Sequence, residues 1–286
     1  MRRRGCRHGG HHPLLCVSGA TSGIGERIAE LFVDEGARVV AAGRREPEDR
    51  TLEARCGPAM SFVRTDVADE TSIKLMIDHA LTRFGRLDCL VNNAGTGSPM
   101  VSIAEVTGEH FSSVFDTNVL GVMFGMKHAA RIMTAQGSGS IITICSAAGL
   151  RAGLSGHVYS ASKAAAIHLS RSVASEISSN GVRVNTISPG GIVTGIFAKA
   201  AGLEGAKADR VLDTISDLFA TIQPVPRPGT TNDIAHAAVF LASDAASFIT
   251  GQDIAVDGGL APLGKSGWKE SVEFRAEIAR RVRQSS

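Results

Sequence analysis

The sequence predicts an α/β fold built on a parallel sheet, on three observations. Short apolar segments alternate along the chain with longer segments of helical periodicity, the pattern of strand–helix crossover units and of a sheet covered on both faces. The first apolar segment runs directly into a glycine-rich turn and then into a helical pattern. The chain has 286 residues, 43% of them hydrophobic, enough to bury one large core. No internal repeat, linker or domain boundary divides it.

The elements follow in order. Leu14 to Val17 is a continuous apolar run, suited to a buried parallel strand. After the glycine turn, Glu26 to Glu35 carries Ile28, Ala29, Leu31 and Phe32 at helical spacing. Arg38 to Ala42 and Ser61 to Thr65 read as the second and third strands, Thr71 to Phe84 as an amphipathic helix, and Leu87 to Val91 as the fourth strand. Phe111 to Ala135 reads as one long helix and Ser140 to Ile144 as the fifth strand. Ser160 to Ser178 is a helix that ends near Asn180-Gly181, a good stop. Val182 to Ile187 is the sixth strand, Asn232 to Ser243 a late helix and Asp253 to Val256 the seventh strand. Residues 1–12, basic and glycine-rich, read as a disordered tail, and residues 13–260 as the folded domain. Residues 261–286 read as an extension of that domain or part of a subunit interface; within it, Lys265 to Arg283 has helical character and holds Trp268 and Phe274.

Two segments carry chemistry. The first is Ser18-Gly19-Ala20-Thr21-Ser22-Gly23-Ile24-Gly25, between a strand and a helix. Glycines there let the backbone turn tightly and come close to a pyrophosphate, and the helix N-terminus presents free N–H groups and a partial positive charge. The spacing is Gly-x-x-x-Gly-x-Gly, with one more residue in the turn than G-x-G-x-x-G. The second is Tyr159 and Lys163, four residues apart, with Ser146 upstream. At i and i+4 the two lie on one helical face, about 5–6 Å apart at Cβ. The ammonium favours the phenolate while desolvation opposes it, so the pair is a mild acid or base.

With these segments the chain resembles the short-chain dehydrogenase/reductase family, in its compact single-domain branch. The resemblance runs from about Leu14 to Gly259. It is carried by the glycine turn, Asp66-Val67, Asn92-Asn93-Ala94-Gly95, Asn118, Ser146, Tyr159-x-x-x-Lys163 and Pro189-Gly190, in that order. Ser18 stands where the family has Thr and keeps the hydroxyl. The resemblance implies a Rossmann fold with a seven-stranded, mostly parallel sheet in the order 3-2-1-4-5-6-7. It also implies a nicotinamide cofactor. Gly19, Thr21, Ser22, Gly23, Ile24 and Gly25 would hold its pyrophosphate side, and Asp66 and Val67 would border the adenine. Asn92, Ala94 and Gly95 would cap the fourth strand and touch the adenosine ribose; Asn92 also suits a structural role. In Pro189-Gly190-Gly191-Ile192-Val193-Thr194, Thr194 would bond the carboxamide. The end of the second strand decides between NAD and NADP. The stretch Ala41-Ala42-Gly43-Arg44-Arg45 has no carboxylate there, Gly43 leaves room and Arg44 follows. This favours NADP(H), with NAD(H) possible if Arg44 only stacks on the adenine.

The implied reaction interconverts a secondary alcohol and a ketone. Tyr159 moves the hydroxyl proton, Ser146 bonds the reacting oxygen, and Lys163 favours the phenolate and holds the ribose. Asn118 holds a water that links Lys163 to solvent, or serves as a helix-kinking residue. Gly195 to Gln223, with Phe197, Leu203, Leu212, Ile215, Leu218 and Phe219, reads as an apolar lid, and Met100, Leu154 and His157 as further lining, which suits a small to medium apolar substrate. The rivals are a 3-oxoacyl-thioester reductase, which a thioester panel separates, and a cofactor-sensing regulator, against which the complete Asn118, Ser146, Tyr159 and Lys163 set argues. A sugar-nucleotide epimerase needs a different glycine spacing and a larger carboxyl-terminal domain. A net charge of +2 gives no reason to expect nucleic acid or an anionic membrane. No apolar stretch reaches the roughly 18 residues of a membrane helix. The five cysteines are scattered, with no metal-ligand spacing, and read as reduced thiols in the cytoplasm. The family resemblance implies a homotetramer or homodimer, built partly from the helices holding Asn118 and Lys163, with Ala164, Ala165 and Ala166 small enough for close contact.

Overall fold

The structure is a computed structural model that describes residues 12–45, 51–194 and 216–264. The strands are β1 (Leu14–Ser18), β2 (Arg38–Gly43), β3 (Met60–Arg64), β4 (Cys89–Asn92), β5 (Gly139–Ile144), β6 (Val182–Pro189) and β7 (Asp253–Val256). They form one sheet in the order β3-β2-β1-β4-β5-β6-β7, the expected order, and every pair is parallel. Cys16 stands opposite Leu90, and Ile142 opposite Asn185. The chain starts at the centre, steps outward to β3, then returns to lay β4 on the other side of β1. That reversal opens a crevice at the carboxyl ends of β1 and β4, where sheets of this kind place ligands.

The helices are α1 (Gly23–Asp34), α2 (Thr51–Cys56), α3 (Glu70–Phe84), α4 (Gly108–Phe115), α5 (Gly121–Gln136), α6 (His157–Ile177), α7 (Thr231–Ala242) and α8 (Leu260–Leu263); residues 216–222 are also helical. β1 is buried at all five positions, the mark of a strand covered on both faces. On one face, Ile28, Ala29, Leu31 and Phe32 of α1 join Ile234, Ala235, Ala238 and Leu241 of α7 over Leu15, Val17 and Val39. On the other, Ile73, Met76 and Ile77 of α3 and Met126, Ala129 and Met133 of α5 cover Cys16, Leu90 and Ile141. The stops are chemical. Asp69 caps α3 by accepting from the amides of Thr71 and Ser72, and Gly85 ends it at φ 83°. Gly181, at φ 78°, follows α6 after one 3₁₀ turn, at the predicted Asn180-Gly181 stop; a Cβ there would run into the Gly137 carbonyl.

The long helix predicted over 111–135 is one path of three parts: α4, a π-helical turn at Asp116–Leu120, and α5. The apolar spacing carries straight through that turn, which is why periodicity does not reveal it. Helix α6 starts at His157, earlier than predicted, so Tyr159 lies in its first turn. Cys16, Cys56 and Cys145 carry free thiols. Among the described residues no helix is long and apolar enough to cross a membrane. Residues 195–215 of the predicted lid, the amino-terminal tail with His8 and His11, and the extension with Trp268 and Phe274 lie outside the described residues.

Candidate active site

The glycine turn is built as the spacing requires. Gly19 and Gly23 sit at φ 65° and 62°, in the left-handed region that glycine tolerates. A Cβ on Gly19 would lie 2.9 Å from the Ala94 Cα and the Asn93 Nδ2, and one on Gly25 would enter the Gly19 carbonyl. Ser22 is the N-cap of α1 but makes no side-chain cap bond. The first amides of the helix, at Gly23, Ile24 and Gly25, therefore have no hydroxyl cap, and orphan amides at a helix start are what a phosphate satisfies. The methyl side of Thr194 lies 3.7 Å from where a Gly23 Cβ would be, so the loop after β6 reaches the turn. A bare helix start behind a turn too tight for side chains fits a dinucleotide pyrophosphate.

Ser18 and Asn93 hold this turn against β4. The Ser18 Oγ accepts the Asn93 and Ala94 amides at 3.0 and 3.1 Å. The Asn93 Nδ2 donates to the Ser18 and Gly19 carbonyls at 3.0 and 3.1 Å. A hydroxyl is all that position 18 needs, so Ser serves where the family has Thr. Asn92 is turned elsewhere: it is buried and its side chain packs on Gly125 of α5, so within the motif the side chain that reaches the turn is that of Asn93.

The adenine end is open. Arg44 is exposed just past β2. The room that Gly43 was expected to leave is taken by Thr21, whose methyl would stand 2.9 Å from a Gly43 Cβ. Asp66 is exposed and turns back on the Ala68 amide at 3.0 Å. Val67 is buried, with its carbonyl 2.8 Å from a Cβ placed on Gly121. The Pro189 to Thr194 loop is anchored by Gly229, which donates to the Gly191 carbonyl at 2.9 Å and accepts the Val193 amide at 3.1 Å. Gly190 backs onto Asp257, and Ile192 is buried against Gly229. The Phe219 ring lies directly over Gly191, while Leu218 and Met100 are exposed, as is His157.

Asn118, Ser146, Tyr159 and Lys163 come to one place. Lys163 is buried, 6% exposed, and its Nζ donates to the Ile144 carbonyl at the end of β5, 2.9 Å away. The same Nζ stands 5.7 Å from the centroid of the Tyr159 ring. Ser146 is two residues past Ile144 and caps a 3₁₀ turn (Ala147–Gly149) by accepting the Ala148 amide at 3.2 Å. That turn packs on α6 so closely that a Cβ on Gly149 would lie 2.9 Å from the Lys163 carbonyl carbon. Cys145, beside Ser146, is the wrong group for nucleophilic work, because burial pushes its thiol up to about 12 despite the Lys163 charge;.

Asn118 sits in the π turn, 1% exposed; π turns recur at functional sites. Its Oδ1 accepts the Thr96 amide and its Nδ2 donates to the Thr96 carbonyl, both at 2.9 Å. The Nδ2 also donates to the Ser162 Oγ at 3.0 Å. Both amide hydrogens are thus used within the protein, leaving one Oδ1 lone pair and the main-chain carbonyl to meet a water. A Cβ on Gly95 would stand 3.3 Å from this Oδ1 and 3.4 Å from the Lys163 Nζ, so Gly95 is where Asn118 and Lys163 come together.

Comparison with known proteins agrees with this geometry. The family described as Enoyl-(Acyl carrier protein) reductase matches residues 19–261. The chain is similar to (+)-borneol dehydrogenase 2 of Salvia officinalis, 40% identical over 86% of this chain and 88% of the relative. It is similar to cis-4-hydroxycyclohexanecarboxylate dehydrogenase of Sinomonas cyclohexanicum, 38% identical over 86% and 95%. A solved short-chain type dehydrogenase/reductase from Mycobacterium ulcerans superposes with a TM-score of 0.77 at 34% identity, covering 87% of this chain and 90% of that one. A bare glycine turn, an amine anchored beside a phenol and a match over nearly the whole length lead to one conclusion: the chain belongs to the short-chain dehydrogenase/reductase family and is an oxidoreductase that uses a nicotinamide dinucleotide.

Proposed function

We propose that this enzyme interconverts a secondary alcohol and its ketone, with Tyr159 as the acid and base. The observation that carries the reading is the Lys163 ammonium, fixed on the Ile144 carbonyl and held 5.7 Å from the phenol ring. When bound, the nicotinamide ring takes up or gives the hydride. The amides of Gly23, Ile24 and Gly25 and the backbone of Gly19, Thr21 and Ser22 would hold the pyrophosphate; Asp66, Val67, Ala94, Gly95, Pro189, Gly190, Ile192 and Thr194 would complete the cofactor surface, and Asn92, buried against Gly125, would support it from within. Tyr159 takes the hydroxyl proton in oxidation and returns it in reduction. Ser146 donates to the reacting oxygen and steadies its developing charge. Lys163 supplies positive charge at the phenol, and Asn118 passes the proton on through a water. Arg44, exposed past a strand end without a carboxylate, favours NADP(H) over NAD(H).

The substrate class is an apolar secondary alcohol carried on a ring. Relatives named for borneol and for cis-4-hydroxycyclohexanecarboxylate support it. The test is turnover of a panel of cyclic secondary alcohols with NADP and NAD separately, read by reduced-nicotinamide fluorescence, with a 3-oxoacyl thioester included because of the family's description. Tyr159→Phe is expected to lose about 10²–10⁴-fold in turnover while still binding the dinucleotide. Turnover within a few fold of the wild type would refute the role of Tyr159.

A further inference from the structure

The backbone of Tyr159 is tied to one loop directly at its N–H and, through Ser162 and Asn118, at its C=O. Helix α6 starts from Gly156, which has no side chain with which to cap it. The third amide of the helix, which an N-cap hydroxyl ordinarily accepts, belongs to Tyr159. It donates instead to the Oγ of Ser98, 3.2 Å away and 61 residues earlier in the chain. Gly156 lets that loop come close: a Cβ there would lie 2.6 Å from the Ser98 Oγ and 2.7 Å from the Pro99 carbonyl oxygen. On the other side, the Ser162 Oγ donates to the Tyr159 carbonyl at 2.7 Å and accepts the Asn118 Nδ2 at 3.0 Å. Asn118 in turn grips both the amide and the carbonyl of Thr96. The circuit therefore closes: Thr96, Asn118, Ser162, Tyr159, Ser98, and two residues of chain back to Thr96.

We propose that Ser98 is a positioning residue for Tyr159, capping from outside the helix that carries the phenol. The loop it belongs to begins at Asn93 and Ala94, which hold the glycine turn. One short stretch of chain, residues 93–98, thus sets the cofactor cradle and the proton donor relative to each other. Without the Ser98 hydroxyl, the first turn of α6 loses its acceptor and loosens, and Tyr159 is in that turn. Lys163 lies one turn deeper and keeps its own anchor on Ile144. The consequence is a phenol out of place beside an intact cofactor site.

This inference rests on Tyr159 being the acid and base, and the test separates the two. Ser98→Ala, Ser98→Cys and Ser98→Thr are compared with the wild type and Tyr159→Phe for kcat, KM for the dinucleotide, and the primary deuterium isotope effect of an alcohol labelled at the carbinol carbon. Ser98→Ala is expected to lower kcat roughly tenfold, leave KM for the dinucleotide within about twofold and raise the isotope effect. Ser98→Thr, which keeps the hydroxyl, is expected to run near wild type, and Ser98→Cys, a weak acceptor that preserves the shape, to fall between and decide the matter if Ser98→Ala does not fold. Wild-type kcat and isotope effect in Ser98→Ala and Ser98→Cys, with Tyr159→Phe inactive, overturns the inference alone. So does a loss of kcat matched by an equal loss of dinucleotide affinity, or a Ser98→Thr as impaired as Ser98→Ala. An active Tyr159→Phe overturns the acid–base reading, and this inference with it.

Discussion

At Gly95 the chain passes close to both Asn118 and Lys163. Its backbone is not in the left-handed region, so alanine is allowed by conformation and excluded only by its neighbours. The added Cβ would lie 3.3 Å from the Asn118 Oδ1 and 3.4 Å from the Lys163 Nζ, both side-chain atoms, and side chains yield more cheaply than backbone. Gly95→Ala is therefore expected to fold with a stability within about 1 kcal/mol of wild type and to lose roughly fivefold to tenfold in kcat as the Asn118 amide is crowded out of its place beside Lys163. Thermal unfolding and turnover measured together check this, and an unchanged kcat would show that the close spacing of Asn118 and Lys163 at Gly95 does not matter. The residue scale is also where the sequence was least informative. Asn118, Ser146, Tyr159 and Lys163 stand out by type and spacing. Ser98 and Ser162 look like two of many serines, because what distinguishes them is a partner far away in the chain. The signal that points to Ser98, a helix start at Gly156 without a capping side chain, came only with the structure, because the sequence reading begins that helix at Ser160.

Among the elements, α7 shows how a helix end makes stability depend on pH. Thr230 and Asp233 form a capping box, the Asp233 carboxylate accepting the Thr230 amide at 2.8 Å. Arg227 adds two bonds of 2.8 Å, one to each oxygen. Chief among the causes, the Arg227 bond holds the Asp233 carboxyl well below the usual carboxylate range. A depressed value in the folded state means that the stabilisation is complete above the unfolded value of about 3.9 and fades as pH falls through the lower, folded one. Asp233→Asn is expected to cost about 1 kcal/mol at neutral pH, and less as the pH drops below that range. Urea titrations at several pH values give the difference, and a cost that does not shrink in acid would rule out the carboxylate as its source. The π turn belongs to this scale too. Apolar positions spaced for one long helix ran through it, and only the packing of Gly121 on Val67 and of Asn118 on Thr96 shows why the path widens there.

For the whole molecule, the outer faces of α4, α5 and α6 propose an assembly. Phe111 and Phe115 stack at 4.0 Å on α4, and Phe111 and Met123 are exposed, an apolar surface on the helices flanking the site. The expected run of small residues divides. Ala164 is exposed and Ala165 half-buried, but Ala166 is fully buried in a cluster with Cys145 and Ile167, since consecutive helical residues point about 100° apart, and it cannot serve an interface. Ala164→Arg is expected to turn an oligomer into a monomer in light scattering. A wild type that already runs at the mass of one chain would end the assembly proposal.

The sequence alone determined what depends on near neighbours: the alternation of strand and helix, the strand order that the family resemblance implies, and the side chains proposed for the chemistry. Hydrophobic period, glycine punctuation and i, i+4 spacing are local quantities, and a chain carries them openly. Tertiary structure decided what depends on distance in space. It set the Asn93 side chain on the glycine turn, filled the room beside Gly43 with Thr21, buried Ala166 and set Ser98 under Tyr159. Each of these is a contact between segments far apart in the chain, fixed only once the sheet has closed and its side chains have packed to the density of a solid.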